Sequence, residues 1–402
     1  MSRPGTSSVM FHTVGVPDRR WAWNFLTVPW QLFDAQLGAL RRFGYRAVFL
    51  REYMDIALAG RLEQERVVSL TFDDGYLDNW VFAAPLLKKH GFCGTIFVST
   101  DFVDPAVKPR PQFDPTRPES ARLPSAGFLS WSEMRVLEQS GVMEIQSHGI
   151  THTWYPSGPK IVDFRHPGDT YYWMDWNACP EDKWGYLKLK SDPGVWGEPV
   201  YEHAKSMDGP VFRPDERVGR ALREVVASMG RSFFDGPDWR RDLHGMADEM
   251  MKAWKQTSVE THDEFMLRVH GELADSKAVL EDNLHKKIDF FCWPGGGYTE
   301  EVFDAASGYY VGTTVGSRER LRPAALDENG CFRFSRVGPP GVEGRIGFRY
   351  LGPWLLPLFL EEVRGGSRLA RLFRGGGKLT VENWEKMKIA MLGRVRDESC
   401  HE

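Results

Sequence analysis

The chain has 402 residues, of which 42% are hydrophobic and 26% charged, a composition typical of a soluble globular protein. Its length predicts one large α/β domain with insertions, or two domains. A formal net charge of −4 without a dominant basic block argues against nucleic-acid binding. Five widely spaced cysteines without a CxxC pair argue against a disulfide framework.

Short β-like runs alternate with helix-like segments, which favours a mostly parallel α/β sheet or barrel. Seven strands are predicted, namely Ser8–His12, Tyr45–Leu50, Val67–Phe72, Thr95–Ser99, Val142–Ser147, Ile288–Trp293 and Tyr309–Thr314. Helices are predicted at residues 30–44, 77–91 and 130–141, where apolar residues recur at helical spacing and a glycine ends each segment.

The regular alternation fails at residues 101–127, a predicted long loop, and at residues 153–287. We interpret the second interruption as an insertion that is irregular at first and then helical, and that covers one mouth of the α/β core. The chain is thus divided into a first barrel part, the insertion, a second barrel part and a C-terminal extension. These four parts span residues 1–152, 153–287, 288–340 and 341–402.

Neither end of the chain carries a segment that predicts secretion or membrane insertion. The first 15 residues lack an apolar core behind a basic start, so a cytoplasmic protein is expected. The apolar segment at residues 348–366 is followed closely by arginines. We interpret it as a buried C-terminal element; the alternative is peripheral association with the inner face of a membrane.

Two adjacent aspartates, Asp73 and Asp74, follow an apolar run and precede Gly75. Like charges at the end of a buried strand repel each other and lose hydration, which costs stability unless a cation offsets the loss. In parallel α/β folds, active sites gather at the carboxyl ends of strands. The pair therefore indicates either a simple turn or a cation site.

His148 and His152 follow another short apolar strand at i, i+4 spacing. On a helical turn both rings would point the same way and could share one metal ion. Two histidines and an aspartate are the three-ligand set of an open catalytic zinc site. The second aspartate would then stay free as a base that deprotonates water.

The motif TFDDG at residues 71–75, followed by SHGITH at residues 147–152, resembles the polysaccharide deacetylase family, carbohydrate esterase family four. The resemblance implies a distorted (β/α) barrel of about seven strands with a large mixed insertion and a C-terminal extension. It implies that Asp73 is the general base, and that Asp74, His148 and His152 bind Zn²⁺ or another divalent cation such as Co²⁺ or Ni²⁺. The backbone N–H of Tyr76 is expected to stabilise the oxyanion.

Two positions depart from the family pattern. Gly149 stands where a Ser or Thr normally braces the loop, and Cys292 stands where an arginine normally orients the base. The branch that acts on poly-N-acetylglucosamine also lacks this arginine and is the most similar in this region. In that comparison Trp293, Pro294 and Gly295 are expected to line the acetyl or sugar pocket.

The same branch takes its acid histidine from the first strand, and His12 closes that strand here. The resemblance therefore implies that His12 protonates the departing amine. A core or edge histidine satisfied by backbone contacts is the alternative reading of this residue.

The implied function is removal of N-acetyl groups from the amino sugars of a polysaccharide or glycan. Alternatives are a nucleotide-linked, lipid-linked or small amide substrate in the cytoplasm, an O-acetyl ester, and a non-catalytic glycan-binding barrel. Aromatic residues crowded within the insertion form either a glycan platform or packing against the barrel. They are Tyr171, Tyr172, Trp173, Trp176, Trp184 and Tyr186.

Overall fold

The computed structural model describes residues 6–18, 21, 23–188, 193–315, 324–339 and 352–365. The strands within them are β1 (Ser8–Phe11), β2 (Thr13–Gly15), β3 (Thr27–Pro29), β4 (Arg46–Ala47), β5 (Val67–Phe72), β6 (Gly94–Val98), β7 (Met143–Ser147), β8 (Trp154–Phe164), β9 (Pro199–Lys205), β10 (Phe212–Arg213), β11 (Ser258–Val259), β12 (Phe290–Phe291), β13 (Gly312–Thr314), β14 (Ala325–Leu326) and β15 (Phe332–Phe334). The helices are α1 (Trp30–Arg42), α2 (Leu50–Leu58), α3 (Ala84–His90), α4 (Trp131–Ser140), α5 (Tyr172–Ala178), α6 (Glu216–Met229), α7 (Trp239–Ala253), α8 (His262–Leu284), α9 (Glu300–Ala306) and α10 (Gly352–Gly365).

Nine strands form the main sheet, in the order β1-β5-β6-β7-β12-β13-β15-β14, with β4 also paired to β5. Neighbours in this sheet are parallel except for β14 and β15. A parallel bridge between Val9 and Val337 joins β1, at one end of the strand order, to the segment that follows β15. In this bridge the N–H of Met10 donates to the carbonyl of Val337 at 2.8 Å, and the N–H of Val337 donates to the carbonyl of Ser8 at 3.0 Å.

This sheet confirms the α/β fold class and the distorted barrel. All seven predicted strands contribute to it. The strand predicted at Tyr45–Leu50 is reduced to the two residues of β4, because α2 already begins at Leu50. The sequence does not predict β14 and β15, which are only two and three residues long.

The predicted elements around Asp73 form as their patterns indicate. All six residues of β5 are buried, as expected of a parallel strand covered on both faces. Helices α1, α3 and α4 form within the predicted ranges. Ser130 and Glu133 make a capping box at the start of α4, and Gly141 ends that helix with a φ of 65°.

The segment at residues 153–287 contributes to two different cores. Strands β8 and β9 pair antiparallel, and α6 and α7 pack on them around Phe164, Leu222 and Leu243. Helix α8 instead contacts β7 and α4, and it buries Val269 and Leu273 in the core of the barrel. The barrel therefore receives a long helix from the segment that the sequence assigns to the insertion.

Helix α10 packs against α1 with Leu356 and Leu360 fully buried. This agrees with the interpretation of the apolar segment as a buried C-terminal element. The arginines that follow residue 365 lie outside the described residues. Within the described part of the chain, no helix combines the length and the apolar character needed to cross a membrane.

Candidate active site

The predicted site residues meet at one end of the barrel, where the parallel strands end. They line a cavity of about 300 Å³ together with Arg336, which follows β15. The predicted residues in its wall are His12, Asp73, Asp74, Tyr76, His148, His152, Trp293 and Gly295. The order of the strands brings these distant segments together at the position where barrels of this kind usually hold active sites.

Asp74, His148 and His152 form what we call the metal half of the site. Nε2 of His148 lies 3.2 Å from Oδ1 of Asp74, and Nε2 of His152 lies 3.1 Å from the same oxygen. This buried oxygen accepts no well-aligned hydrogen bond from the described residues. One carboxylate and two imidazoles that converge in this way suit Zn²⁺ and similar cations. The residues present therefore fit the ion that the sequence predicts.

The second ring nitrogen of His148 fixes how this side chain faces the site. Nδ1 lies 2.7 Å from the carbonyl oxygen of Cys292. Because a carbonyl only accepts hydrogen bonds, Nδ1 must carry a proton, and Nε2 is the ring nitrogen that faces Asp74. A hydrogen bond of this kind commonly orients a histidine that binds a metal.

His148 and His152 lie on a loop, so the helical turn expected from their spacing is wrong. Gly149 has a φ of 77° and His152 a φ of 37°, and neither value continues a right-handed helix. The loop nevertheless brings the two rings to 5.0 Å between centroids. Asp74 also has a positive φ, of 74°, and non-glycine residues in this region carry strain that is concentrated at functional sites.

Asp73, Arg336 and Cys292 form what we call the base half of the site. Nη1 of Arg336 donates to Oδ1 of Asp73 at 2.5 Å, and Nη2 donates to Oδ2 at 2.7 Å. Nη2 also lies 2.9 Å from Sγ of Cys292. The paired bonds hold both oxygens of the Asp73 carboxylate in one plane with the guanidinium.

Asp73 is therefore oriented by an arginine, although Cys292 occupies the position where the family usually has one. The expectation that this arginine is missing is wrong, because Arg336 supplies it from the end of β15. Sequence reasoning missed this residue because no local motif marks it. The available signal was an arginine just after a short β-like run, in FRFSRVG at residues 332–338.

The two adjacent aspartates differ in what offsets their burial. Burial alone would raise the pKa of both carboxyls. For Asp73, the charge and hydrogen bonds of Arg336 outweigh burial and lower the pKa. For Asp74, the charge of His152 and the contacts with His148 outweigh burial and hold the pKa well below its usual value. Both side chains are therefore carboxylates.

His12 lies between β1 and β2 and lines the cavity together with both aspartates. Its backbone is anchored by Asn79, whose Nδ2 donates to the carbonyl of His12 at 2.9 Å. The same Nδ2 donates to Oδ1 of Asp78 at 2.9 Å. This anchor fixes the segment through its backbone and does not engage the imidazole.

Tyr76 pairs with Phe128 in an isolated antiparallel bridge. The two hydrogen bonds that flank the bridge come from the N–H groups of Leu77 and Leu129. The bridge therefore does not use the N–H of Tyr76, and Tyr76 itself lines the cavity.

The other predicted pocket residues lie at the end of β12. Trp293 is 2% exposed, so only a small part of its surface faces the cavity. Gly295 lines the cavity with a φ of 58°. Pro294 is buried beside them. The segment thus shapes the wall of the cavity mainly through packing.

The aromatic residues of the insertion serve chiefly as packing. Trp176 and Tyr186 are 1% and 4% exposed and pack with Tyr76, Phe102 and Phe128 of the barrel. The cavity wall instead contains three aromatic residues that the sequence does not single out. They are Trp23, Phe25 and Trp154.

Comparison with known proteins gives the following matches. Residues 61–166 match the family model described as polysaccharide deacetylase. Among curated proteins, the chain is 34% identical over 90 residues to the putative polysaccharide deacetylase YxkH of Bacillus subtilis (strain 168). This match spans 22% of the present chain and 30% of the length of that relative.

Three solved structures show partial likeness to the chain. A de-N-acetylase from Aggregatibacter actinomycetemcomitans has a TM-score of 0.49 and 15% identity, over 82% of this chain and 93% of that one. The BpsB deacetylase domain from Bordetella bronchiseptica has a TM-score of 0.44 and 15% identity, over 84% and 97%. IcaB from Ammonifex degensii has a TM-score of 0.43 and 16% identity, over 89% and 98%.

Proposed function

The chain carries a polysaccharide deacetylase domain, and from that premise we propose that it removes N-acetyl groups from an amino-sugar glycan with the help of a divalent metal ion. The favoured substrate class is a glycan of N-acetylglucosamine, as the motifs of the second barrel part indicate. Products are acetate and a free amine on the sugar.

Asp74, His148 and His152 would hold the ion. A divalent cation bound there polarises the acetyl carbonyl and acidifies water. The donor set supports this assignment, since Oδ1 of Asp74 and the two Nε2 atoms face one another at 3.1–3.2 Å.

Asp73 accepts the proton of the attacking water as general base. Arg336 keeps both carboxylate oxygens of Asp73 in a fixed orientation throughout. The N–H of Tyr76 donates a hydrogen bond to the acetyl oxygen as negative charge develops on it. His12, which lines the same cavity, gives a proton to the departing nitrogen.

Trp23, Phe25 and Trp154 supply the sugar-facing surface of the cavity. Aromatic rings have large apolar faces, which suit the apolar faces of pyranose rings. Phe25 is 52% exposed, so a substrate can reach it without rearrangement of the core.

One observation carries the proposal. Asp73 is buried and paired with Arg336, yet it lies beside a second aspartate that faces two imidazoles. A binding module has no use for a carboxylate held apart from a metal-ligand set in this way. A hydrolase needs both, one to hold the ion and one to move a proton.

The test is acetate release by the full chain loaded with Zn²⁺. The substrates compared are N-acetylglucosamine oligomers, nucleotide-linked N-acetylamino sugars and lipid-linked glycans. We expect the oligomers to release acetate fastest, and the same protein treated with a chelator to release none.

Each other outcome separates the alternatives. Release from the nucleotide-linked or lipid-linked sugars alone would move the substrate to those classes. Binding of oligomers without release from any substrate, with Zn²⁺ bound, would make the chain a glycan-binding barrel and overturn the proposal.

A further inference from the structure

The loop that carries the two histidines is held by a buried carboxylate from α8. Glu272 is 3% exposed. Its Oε2 accepts from the N–H of Ile150 at 2.7 Å and from the N–H of Thr151 at 3.1 Å. Its Oε1 accepts from the hydroxyl of Thr151. We propose that Glu272 is the positioning residue that sets His148 and His152 for metal binding.

Gly149 is the counterpart of this contact in the loop. A Cβ added there would lie 3.1 Å from Oε2 of Glu272, at a φ of 77° that side chains rarely adopt. A Ser or Thr at this position, as the family pattern has it, would therefore make an unusually tight contact with the carboxylate and would strain the backbone. The absence of a side chain makes room for Glu272, and the bracing of the loop passes from residue 149 to the helix.

The charge of Glu272 explains why this contact is specific. A buried carboxylate is costly unless hydrogen bonds replace its lost water. Two consecutive N–H groups aimed at one oxygen form a concave anion site of the kind that backbone segments with a left-handed residue create. In the observed loop conformation, Ile150 and Thr151 both aim these groups at Glu272. Glu272 therefore stabilises that conformation above others.

A second contact from the same helix acts on the start of the loop. Oγ of Ser147 donates to Oγ of Ser276, one turn beyond Glu272, at 2.9 Å. Oγ of Ser147 in turn accepts from the N–H of Gly149 at 3.2 Å. Since α8 packs in the barrel core, these contacts fix the position of the whole loop relative to that core.

The consequence for the site is a preorganised pair of imidazoles. Outer contacts that orient metal ligands typically contribute about 10–100-fold to metal affinity or activity. This inference rests on the proposed metal-dependent function. It concerns, however, how tightly the ion is held, which can be measured without any substrate.

The experiment measures the dissociation constant for Zn²⁺ by competition with a chromophoric chelator, using the full chain and its Glu272→Gln variant. We expect about 10–100-fold weaker binding by the variant. We also expect a changed visible absorption spectrum of the Co²⁺-loaded form, because the imidazoles take up a different geometry. Thr151→Val, which removes only the hydroxyl contact, should weaken binding in the same direction by a smaller factor.

Glu281→Gln is the matched control. Glu281 lies on the same helix and also accepts from a backbone N–H, that of Ile288 at 2.9 Å, but that contact lies away from the histidine loop. We expect its Zn²⁺ affinity and Co²⁺ spectrum to equal those of the unaltered chain.

Wild-type affinity and an unchanged spectrum in Glu272→Gln would overturn the inference, while acetate release by the unaltered chain would leave the proposed function standing. If Glu272→Gln fails to fold, Thr151→Val decides, and unchanged Zn²⁺ affinity in that variant overturns the inference. Failure of the unaltered chain to bind Zn²⁺ would overturn both proposals.

Discussion

The metal half and the base half of the site lie side by side, yet they are assembled across different distances in the chain. His148 and His152 share one loop and meet the carboxylate of Asp74 directly. Asp73 instead depends on Arg336, a partner 263 positions away. The first half is visible as local motifs, whereas the second exists only after the barrel has closed.

The two neighbouring aspartates are chemically identical but differ in their contacts. Oδ1 of Asp74 faces the Nε2 atoms of His148 and His152, a donor set that could hold a divalent cation. Asp73 is instead paired with the positive charge of Arg336, whose guanidinium donates hydrogen bonds to both carboxylate oxygens. A substitution in one half of the site should therefore leave the structure of the other half intact.

Asp74→Asn should have the largest effect. The amide removes the negative charge from the ligand set, so we expect loss of Zn²⁺ binding and a fall of acetate release to the uncatalysed background. Metal analysis after gel filtration, together with the acetate assay, checks this. Asp55→Asn makes the same change at an exposed position of α2 and should alter neither quantity.

Asp73→Asn should separate the two halves most clearly. We expect kcat to fall by about 10²–10⁴-fold, the usual contribution of a general base, while Zn²⁺ stays bound. Metal content and single-turnover acetate release on the same sample measure both quantities. Full activity with metal bound would remove Asp73 from the role of base.

Arg336→Lys should have a smaller effect on the same half. Lysine keeps the positive charge but cannot make the two parallel bonds to Asp73, so the carboxylate loses its fixed plane. We expect kcat to fall by about 10–100-fold with Zn²⁺ affinity unchanged. Weakened Zn²⁺ binding in this variant would show that the two halves are not separable.

Asp78 is a third acid, which contacts neither the metal half nor Arg336. Its substitution should have the smallest effect on metal binding and acetate release. Burial raises its pKa to about 8, against the hydrogen bonds from Val14 and Asn79 that lower it. The folded state therefore binds more protons than the unfolded state, in which the pKa is about 4. Stability must fall as pH rises between these two values.

Asp78→Asn should remove this dependence. We expect the unfolding free energy of the variant to rise, relative to that of the unaltered chain, by about 1.4 kcal/mol for each pH unit between about 4 and about 8, with no further rise above that range. Urea unfolding of the metal-free proteins across this range measures the difference. A constant difference at every pH would contradict the assigned shift.

Much of the metal half could be predicted from the sequence, because its residues stand in short motifs at the ends of recognisable strands. The run before Asp73 is apolar and becomes the fully buried β5. The helical turn predicted for His148 and His152 failed, because Gly149 and His152 adopt positive φ values in a loop whose backbone is bonded to Glu272 of α8. Such long-range packing leaves no trace in the spacing of the histidines.

The base half shows the opposite limit. Strands of two and three residues, such as β14 and β15, carry too little pattern to be recognised. Arg336 could not be assigned without them, since its proximity to Asp73 follows from strand order and not from sequence separation. Trp23 and Phe25 could not be assigned to the cavity for the same reason, since they reach it from the connection between β2 and α1.

The bridge between Val9 and Val337 ties the segment that carries Arg336 to the first strand of the barrel. Arg336 directly precedes Val337, so its contact with Asp73 depends on the pairing of this late segment with the first strand. A polypeptide truncated before Arg336 would keep the residues of the metal half but would lack the guanidinium that orients Asp73. In the proposed mechanism, such a truncated polypeptide has the metal ligands but no oriented base.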